Sequence, residues 1–153
     1  MSWLSDNQML EKIKRNADKE TQKAFSGVFP IDSLPEFIKQ YPIFIIINTQ
    51  SHNLPGEHWK VVFINANKEA EVFDSLALPI SVYLQRWLNK FSRKWRRNTK
   101  SYQPLLSASC GAFAIYYILN RMHVTNFDSL LSVFTKNPSV NESTVLNFYK
   151  CLK

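Results

Sequence analysis

Apolar residues near the N-terminus recur every three or four positions, the spacing that places side chains on one face of a helix. Ser5 and Gln8 stand where a capping box would begin such a helix. We therefore expect a first amphipathic helix over about residues 6–24, ended by the Gly- and Pro-containing stretch GVFPIDSLP. Its apolar positions are Leu10, Ile13, Ala17 and Ala24.

The middle of the chain contains three segments with the composition of β-strands. Residues 41–48 are apolar on both faces and rich in β-branched side chains, which is typical of a strand covered on both sides. Residues 58–64 and 70–74 are further strand candidates, and residues 65–68 between them, Asn-Ala-Asn-Lys, tolerate turn geometry. We expect a central strand followed by a β-hairpin.

A basic amphipathic helix is predicted to begin at Pro79, because proline suits the first turn of a helix. Downstream, apolar residues follow one stripe and basic residues follow the opposite face. The apolar stripe consists of Ile80, Leu84, Trp87, Leu88, Phe91 and Trp95. The basic face consists of Arg86, Lys90, Arg93, Lys94 and Arg97. Such a face is either simply solvated or a track for nucleic acid.

The C-terminal part of the chain predicts two more helices. Residues 112–119 are apolar all round, as expected of a buried helix, and Ser109 lies near its cap. Ser139 and Glu142 form a candidate capping box for a last amphipathic helix. Together the elements predict an α+β fold, with a small mixed β-sheet packed against a central buried helix and further helices on its flanks. The length suits one substantial core, so we expect one domain over residues 1–153.

Composition narrows the classes of protein to consider. The chain carries 19 Lys and Arg against 12 Asp and Glu, a net charge of +7, which favours a polyanion such as nucleic acid as a partner. The N-terminus lacks the features of a signal peptide, and the longest apolar run is too short to span a bilayer. With only Cys110 and Cys151, we expect reduced thiols in an intracellular setting and no paired spacing for a zinc site.

Three residues far apart in the chain predict nucleophilic catalysis. Cys110 stands at the first turn of the buried helix, where backbone N–H groups and the helix dipole favour a thiolate, and its own N–H would point at substrate. His58 and Asp74 lie on the two strands of the expected hairpin. A turn centred on Ala66 places them opposite each other on one face, which lets a carboxylate orient an imidazole base.

These residues also have simpler interpretations. Cys110 taken alone would most often be a packing residue, and Asp74 a turn former. His52 and His123 are rival bases. His52 lies in a loop punctuated by Gly and Pro, whereas His123 follows the buried helix about three turns from Cys110, which is too far.

The chain resembles the core of the adenovirus endoprotease in two stretches, INTQSHNLPGEHWKVVFINANKEAEVFDSL and YQPLLSASCGAFAIYYI, and more distantly the deSUMOylating proteases of the same clan. The shared pattern is a His-Trp pair at the start of a strand, an acidic residue at the end of the next strand, a Gln, and a small-residue turn into Cys-Gly. In this chain these parts are His58-Trp59, Asp74, Gln103 and Cys110-Gly111. The resemblance covers roughly residues 43–119, about half of the chain.

The resemblance implies a role for each of these residues. In that family the Gln side chain joins the backbone N–H of the nucleophile in the oxyanion hole, so Gln103, seven residues before Cys110, takes that role. Trp59 and Gly111 become site-shielding or substrate-binding positions, with a core position as the alternative for Trp59. The adenovirus enzyme has Glu in place of Asp74, whereas the deSUMOylating proteases have Asp.

The resemblance also concerns activators. The adenovirus enzyme is activated by a viral peptide that forms a disulfide upstream of the oxyanion Gln, but no cysteine lies between His58 and Cys110 here. We therefore expect no such link unless Cys151 serves instead. The family is stimulated by DNA along a basic surface, a role that the basic face from Arg86 to Arg97 would resemble.

The resemblance thus predicts a cysteine endopeptidase that cleaves next to small residues such as Gly, because a narrow slot leads to the thiol in this clan. The expected substrate is a viral or mobile-element precursor protein in the host cytoplasm or nucleus, or in the virion. No membrane partner and a monomeric state are expected. No cofactor is required, with DNA or a peptide as candidate activators. Two alternatives stay open: a protease for ubiquitin-like modifiers, and a basic DNA-binding module with a vestigial protease core.

Overall fold

The computed structural model of the protein describes residues 3–50 and 57–153, with the backbone only at Gln50 and Glu57. The helices in these ranges are α1 (Asp6–Asn16), α2 (Lys19–Ala24), α3 (Val82–Phe91), α4 (Cys110–Arg121), α5 (Phe127–Leu131) and α6 (Pro138–Lys150). The strands are β1 (Phe25–Pro30), β2 (Ile43–Gln50), β3 (Glu57–Ile64), β4 (Glu69–Phe73) and β5 (Lys94–Arg97).

The strands form a five-stranded mixed sheet in the order β1-β2-β3-β4-β5. The neighbours β2, β3 and β4 are antiparallel, whereas β1 is parallel to β2 and β5 is parallel to β4. The expected hairpin is β3–β4, and the apolar segment 41–48 forms the interior strand β2. Both predictions are confirmed, while the edge strands β1 and β5 were not expected.

Alternation along the interior strands gives the sheet two apolar faces. Phe44 and Ile46 of β2 pack with Val61 and Phe63 of β3 into the core shared with α4. The alternate residues of the same strands pack against α3 on the other face. Burying a large apolar side chain contributes about 1.5–3 kcal/mol, so the two faces together hold the helices on the sheet. The members of the second face on β2 and β3 are Ile43, Ile45, Ile47, Val62 and Ile64.

Helix α4 lies at the centre of the larger core. Its side chains at Phe113, Ile115, Tyr117 and Ile118 have no solvent exposure. The helix packs against β3, α1 and α6. The α+β class, with a mixed sheet against a buried helix that begins at Cys110, is therefore confirmed.

The expected first helix over residues 6–24 is wrong in one respect, because two helices occupy it. The Asp18 side chain accepts a hydrogen bond from Thr21 N and begins α2, while Ala17 takes an extended conformation after α1. A carboxylate at an N-cap competes with continuation of the preceding helix. The predicted capping box of Ser5 and Gln8 is confirmed at the start of α1.

The helix predicted from Pro79 is shorter than its apolar stripe suggested. The Ser81 side chain caps it by accepting from Leu84 N, and the helix ends at Phe91, where Ser92 Oγ donates to Leu88 O. Residues 94–97 pair with β4 as strand β5 instead. The single basic helix face is therefore wrong: only Arg86 and Lys90 of that set lie on α3.

The C-terminal capping box is also wrong. Asn137, rather than Ser139, caps α6 by accepting from backbone N–H groups of its first turn, and Pro138 takes the first helical position, which suits proline. Glu142 accepts a hydrogen bond from Ser109 Oγ instead. The short helix α5, capped by Asn126, was not expected.

No helix within residues 3–50 and 57–153 combines the length and the apolar character needed to cross a bilayer. The same residues contain no group of three or more His, Cys, Asp or Glu side chains that could hold a metal ion.

Candidate active site

The β3–β4 turn brings His58 and Asp74 together in a register that differs from the expected one. Val61 lies opposite Phe73 and Ile64 opposite Ala70, so continuing this register places Lys60, and not His58, across from Asp74. The expected register is therefore wrong by two residues. Because side chains alternate with a period of two, the shift leaves His58 and Asp74 on the same face, diagonal to each other.

The shift has a local cause in the turn. Asn65 N donates to Glu69 O, which leaves a three-residue loop from Ala66 to Lys68. Asn65 Oδ1 accepts from the N–H groups of Asn67 and Glu69, and Lys68 adopts a positive φ of 61°. This arrangement is typical of three-residue hairpin loops.

His58 and Asp74 form a buried hydrogen-bonded pair. His58 Nε2 lies 2.7 Å from Asp74 Oδ1, and the two side chains are 2% and 4% exposed. Asp74 Oδ1 also accepts from Leu76 N at 2.9 Å, and Oδ2 accepts from Leu78 N at 3.0 Å. Among the described residues, His58 Nδ1 has no hydrogen-bond partner. The imidazole is thus held through one nitrogen, while the other is buried.

The Asp74 carboxyl is biased toward its ionised form. Burial opposes the charge, but the hydrogen bond and charge of His58, the charge of Lys60 and the Leu76 N–H together hold its pKa below the usual value of 3.8. A buried carboxylate with these partners can orient an imidazole and stabilise its protonated form.

Cys110 is the first residue of α4 and is 1% exposed. Backbone N–H groups of Trp59 and Gly111 donate to its thiol and act to lower its pKa, but burial outweighs them and raises the pKa to about 11. The expected lowered pKa of the Cys110 thiol is therefore wrong for this structure. Loss of solvent destabilises the thiolate more than the N–H groups at the helix terminus stabilise it. Because the Trp59 N–H donates to it, the thiol lies at the start of β3, at the backbone of the residue that follows His58.

Gln103 is anchored to the segment that carries Asp74. Its Oε1 accepts from Ser75 Oγ, and its backbone N donates to Ser75 O at 3.1 Å. Its Nε2 donates to Ser107 O at 2.8 Å. Gln103 is 2% exposed, so the side-chain amide is fixed in the loop that leads to Cys110.

The loop before Cys110 is tied to α6. Ser107 Oγ and Ser109 Oγ lie 2.8 Å apart, and Ser109 Oγ donates to Glu142 Oε2 at 3.0 Å. Asn141 Nδ2 donates to Tyr102 O at 3.2 Å. The start of α4 is therefore held by side chains of the C-terminal helix.

The remaining candidates lie in different surroundings. Trp59 is 1% exposed and belongs to the core, and Gly111 packs against Leu4. His123 Nε2 pairs with Asp18 Oδ2 at 2.8 Å, while His52 lies outside the described residues. Cys151 is exposed at the end of α6.

The basic residues are dispersed rather than aligned. Lys94 pairs with Glu69 at 2.8 Å, and Arg97 donates to the carbonyl oxygens of Ala77 and Leu78. The backbone N–H of Arg93 donates to Lys68 O. Two of these cations therefore have partners on the sheet and in the loop after β4.

Two residues of the site, Lys60 and Ser75, were not predicted from the sequence. Lys60 contacts Asp74, and Ser75 contacts the side-chain amide of Gln103. Lys60 Nζ lies 3.3 Å from Asp74 Oδ2, and Ser75 holds Gln103. Lys60 stands two positions after His58, so strand alternation already placed it on the same face. This alternation is visible in the sequence, but the expected register placed His58, and not Lys60, across from Asp74.

A protein-family model described as "Ulp1 protease family, C-terminal catalytic domain" matches residues 4–147. No curated protein matches the chain.

Solved structures share the fold at low sequence identity. The crystal structure of the ASFV pS273R protease matches with a TM-score of 0.63 and 16% identity, covering 92% of this chain and 64% of that one. The chain thus spans 64% of the length of that protease. The central domain of an uncharacterized Legionella pneumophila protein matches with a TM-score of 0.49 and 14% identity over 98% of each chain. The Chlamydia abortus effector protein ChlaDUB matches with a TM-score of 0.48 and 14% identity, over 95% of this chain and 76% of that one.

Proposed function

The chain belongs to the Ulp1 protease family, which places it among the cysteine proteases, and we propose that Cys110, His58 and Asp74 are its catalytic residues. Gln103 and the backbone N–H of Cys110 bind the oxyanion in this proposal. The observation that carries it is the buried 2.7 Å pair of His58 and Asp74, together with a Cys110 thiol that accepts from the backbone N–H of Trp59, the residue after His58.

The hydrogen bonds of His58 support one direction of proton transfer in this proposal. His58 Nε2 is engaged by Asp74, so Nδ1 is the nitrogen that serves the thiol. Nδ1 takes the thiol proton as the sulfur attacks the scissile carbonyl carbon, and the imidazolium then gives that proton to the leaving amine. Water hydrolyses the resulting thioester and frees the thiol. The Asp74 carboxylate stabilises the imidazolium throughout.

The closed site sets a condition for this reaction. Burial raises the pKa of the Cys110 thiol to about 11, which favours the protonated form at neutral pH, and the residue is only 1% exposed. In this proposal, substrate binding exposes the sulfur before it reacts. A peptide or DNA that favours the open form would act as an activator, and no cofactor enters the chemistry.

The proposed substrate is a polypeptide with a small residue, typically Gly, at the scissile bond of a viral or mobile-element precursor. The fold shared with the ASFV protease supports a protease with this architecture, and the alternative substrate is a ubiquitin-like modifier. The reaction needs a reduced thiol, which fits an intracellular or virion setting. DNA as a partner is supported by the net charge of +7 alone.

Substitution of the thiol tests the proposal. Cys110→Ser should lower kcat/KM by about 10⁴-fold or more on whichever of two fluorogenic substrates the protein cleaves, a Gly-containing peptide or a ubiquitin-like modifier. Cys151→Ser is the matched control and should keep full activity, because that thiol is exposed at the other end of α6. Cleavage retained by Cys110→Ser would remove Cys110 from its role, and preference for the modifier would favour the alternative substrate.

A further inference from the structure

Lys60 is a lysine buried in the interior of the protein. It lies on β3 two residues after His58, and it is 4% exposed. A charged ammonium is almost never buried to this degree unless its charge and its hydrogen atoms have partners.

The surroundings of Lys60 meet this requirement. Its Nζ lies 3.3 Å from Asp74 Oδ2, 3.4 Å from Leu78 O and 3.2 Å from Pro79 O. An ammonium carries three hydrogen atoms to donate, and these oxygens supply an acceptor for each. The lysine therefore ties the triad carboxylate to the loop that follows β4.

The two oxygens of Asp74 have separate partners. Oδ1 accepts from His58 Nε2 and Leu76 N, whereas Oδ2 accepts from Leu78 N and faces Lys60. Rotation of the carboxylate would break contacts at both oxygens. Lys60 thus secures the oxygen that His58 does not use, and so keeps Oδ1 directed at the imidazole.

We infer that Lys60 is a positioning residue of the catalytic triad, one that fixes the Asp74 carboxylate by an ion pair and sets the charge balance around His58. This inference rests on the proposed function, because it assigns Lys60 a part in that same site. Lys60 acts through Asp74 and does not touch the reacting atoms.

The charges around the Asp74 carboxylate determine what removal of the Lys60 charge should do. His58 and Lys60 face Asp74 from β3, Cys110 lies at the start of α4, and Arg97 approaches from β5 through carbonyl oxygens of the loop. Removing one positive charge makes every neighbouring group hold its proton to higher pH. Both limbs of the pH–rate profile should then move upward, whereas loss of packing alone would lower the rate without moving them.

The experiment compares Lys60→Met with wild type on the substrate that the wild-type protein cleaves. We expect kcat to fall at pH 7 by at least roughly tenfold and by no more than about 10⁴-fold, the most that positioned proton transfer contributes, with KM changed by less than about twofold. Both limbs of kcat/KM against pH should move up by on the order of one pH unit. Lys60→Arg, which keeps the charge, should leave the limbs in place.

Arg97→Met is the matched control. It also removes a cation that donates to the loop carbonyls, at 3.3 Å from Ala77 O and 3.4 Å from Leu78 O, but it has no contact with the carboxylate. The limbs of the pH–rate profile should move by less in Arg97→Met than in Lys60→Met. If Lys60→Met does not fold by circular dichroism, Lys60→Gln replaces it, because the amide keeps a donor for the carbonyls without the charge.

The outcomes separate the two proposals. A folded Lys60→Met protein whose rate falls while both limbs stay in place would overturn the inference, as would a profile identical to wild type. In either case an inactive Cys110→Ser variant would leave the proposed function standing. Cleavage by Cys110→Ser would instead remove the proposed function, whatever Lys60→Met does.

Discussion

At the scale of single residues, the Asp74 carboxylate contacts backbone as well as side chains. It accepts from the N–H groups of Leu76 and Leu78, which form the loop after β4, and it pairs with His58 and Lys60. The same oxygens therefore hold both the His58 imidazole and the loop. A change at this position should affect activity and stability together.

Asp74→Asn should lower the free energy of unfolding at pH 7 by about 3 kcal/mol, because the buried ammonium of Lys60 loses its counterion. Its kcat should also fall, since orientation of His58 is impaired. The pKa of Asp74 is lowered in the folded state, so its stabilising contribution is complete above the unfolded value of about 3.8 and is lost as the pH falls below it.

Urea unfolding of both proteins across pH 2–7 measures this effect. The difference in unfolding free energy between wild type and Asp74→Asn should be largest at neutral pH and should shrink below about pH 4. A difference that is independent of pH would show that the contribution of Asp74 to stability does not depend on its charge.

Residue types predicted much of the candidate site. Cys before Gly at a helix start, His before Trp at a strand start, and Asp at the end of the next strand are local features, and the structure brings His58 and Asp74 into contact. Ser75 carries no such signal, and Lys60 has only its position two residues after His58 on the same strand. Their importance comes from partners 14 and 28 residues away, Asp74 and Gln103, which only folding brings near.

At the scale of elements, polar side chains decide where the helices and strands end. Asp18 divides the predicted first helix, Ser81 begins α3, and Asn137 begins α6. Apolar periodicity continues across such positions, so it locates an element without giving its ends. The same holds for the hairpin, whose register follows from hydrogen bonds of Asn65 within the turn.

The start of α4 depends on its contact with the N-terminal segment. A Cβ on Gly111 would lie 2.9 Å from Leu4 Cδ1 and 3.3 Å from Leu4 Cβ and Cγ. Gly111→Ala should therefore destabilise the protein by about 1–3 kcal/mol, because the buried Leu4 must shift.

A double-mutant cycle isolates this contact. In a Leu4→Ala background the contacts with Cδ1 and Cγ are removed and only the 3.3 Å contact with Cβ stays, so Gly111→Ala should become close to neutral. Chemical denaturation of the four proteins measures the coupling. Equal effects of Gly111→Ala in both backgrounds would show that Leu4 does not restrict this position.

At the scale of the whole molecule, a buried charge cluster joins the sheet to the central helix. Glu71 of β4 accepts from Arg121 Nε at 2.6 Å and from Nη2 at 3.0 Å, and it also accepts from Tyr117 Oη. Burial and the Glu71 charge raise the pKa of Tyr117 well above its usual value, so the phenol stays protonated and donates. These contacts fix α4 along the sheet, and with it the position of Cys110.

Glu71→Gln should lower the free energy of unfolding by about 3 kcal/mol, because it leaves the Arg121 guanidinium buried without a counterion. Glu11→Gln, which breaks the exposed pair with Arg15, is the control and should change stability by less than about 0.5 kcal/mol. Thermal unfolding measures both. Equal effects would mean that burial adds nothing to the cost of breaking the pair.

Local pattern was sufficient for the interior strand β2, the hairpin, the buried helix α4 and the choice of Cys110, His58 and Asp74 as candidate catalytic residues. These features follow from the periodicity of apolar residues and from the chemistry of residues that are close together in the chain. The hairpin register, the ends of the helices, the closed thiol and the ion pair of Lys60 with Asp74 came from the folded protein. Each of these depends on hydrogen bonds, charges or solvent exclusion between groups that become neighbours only when sheet, loops and helices pack together.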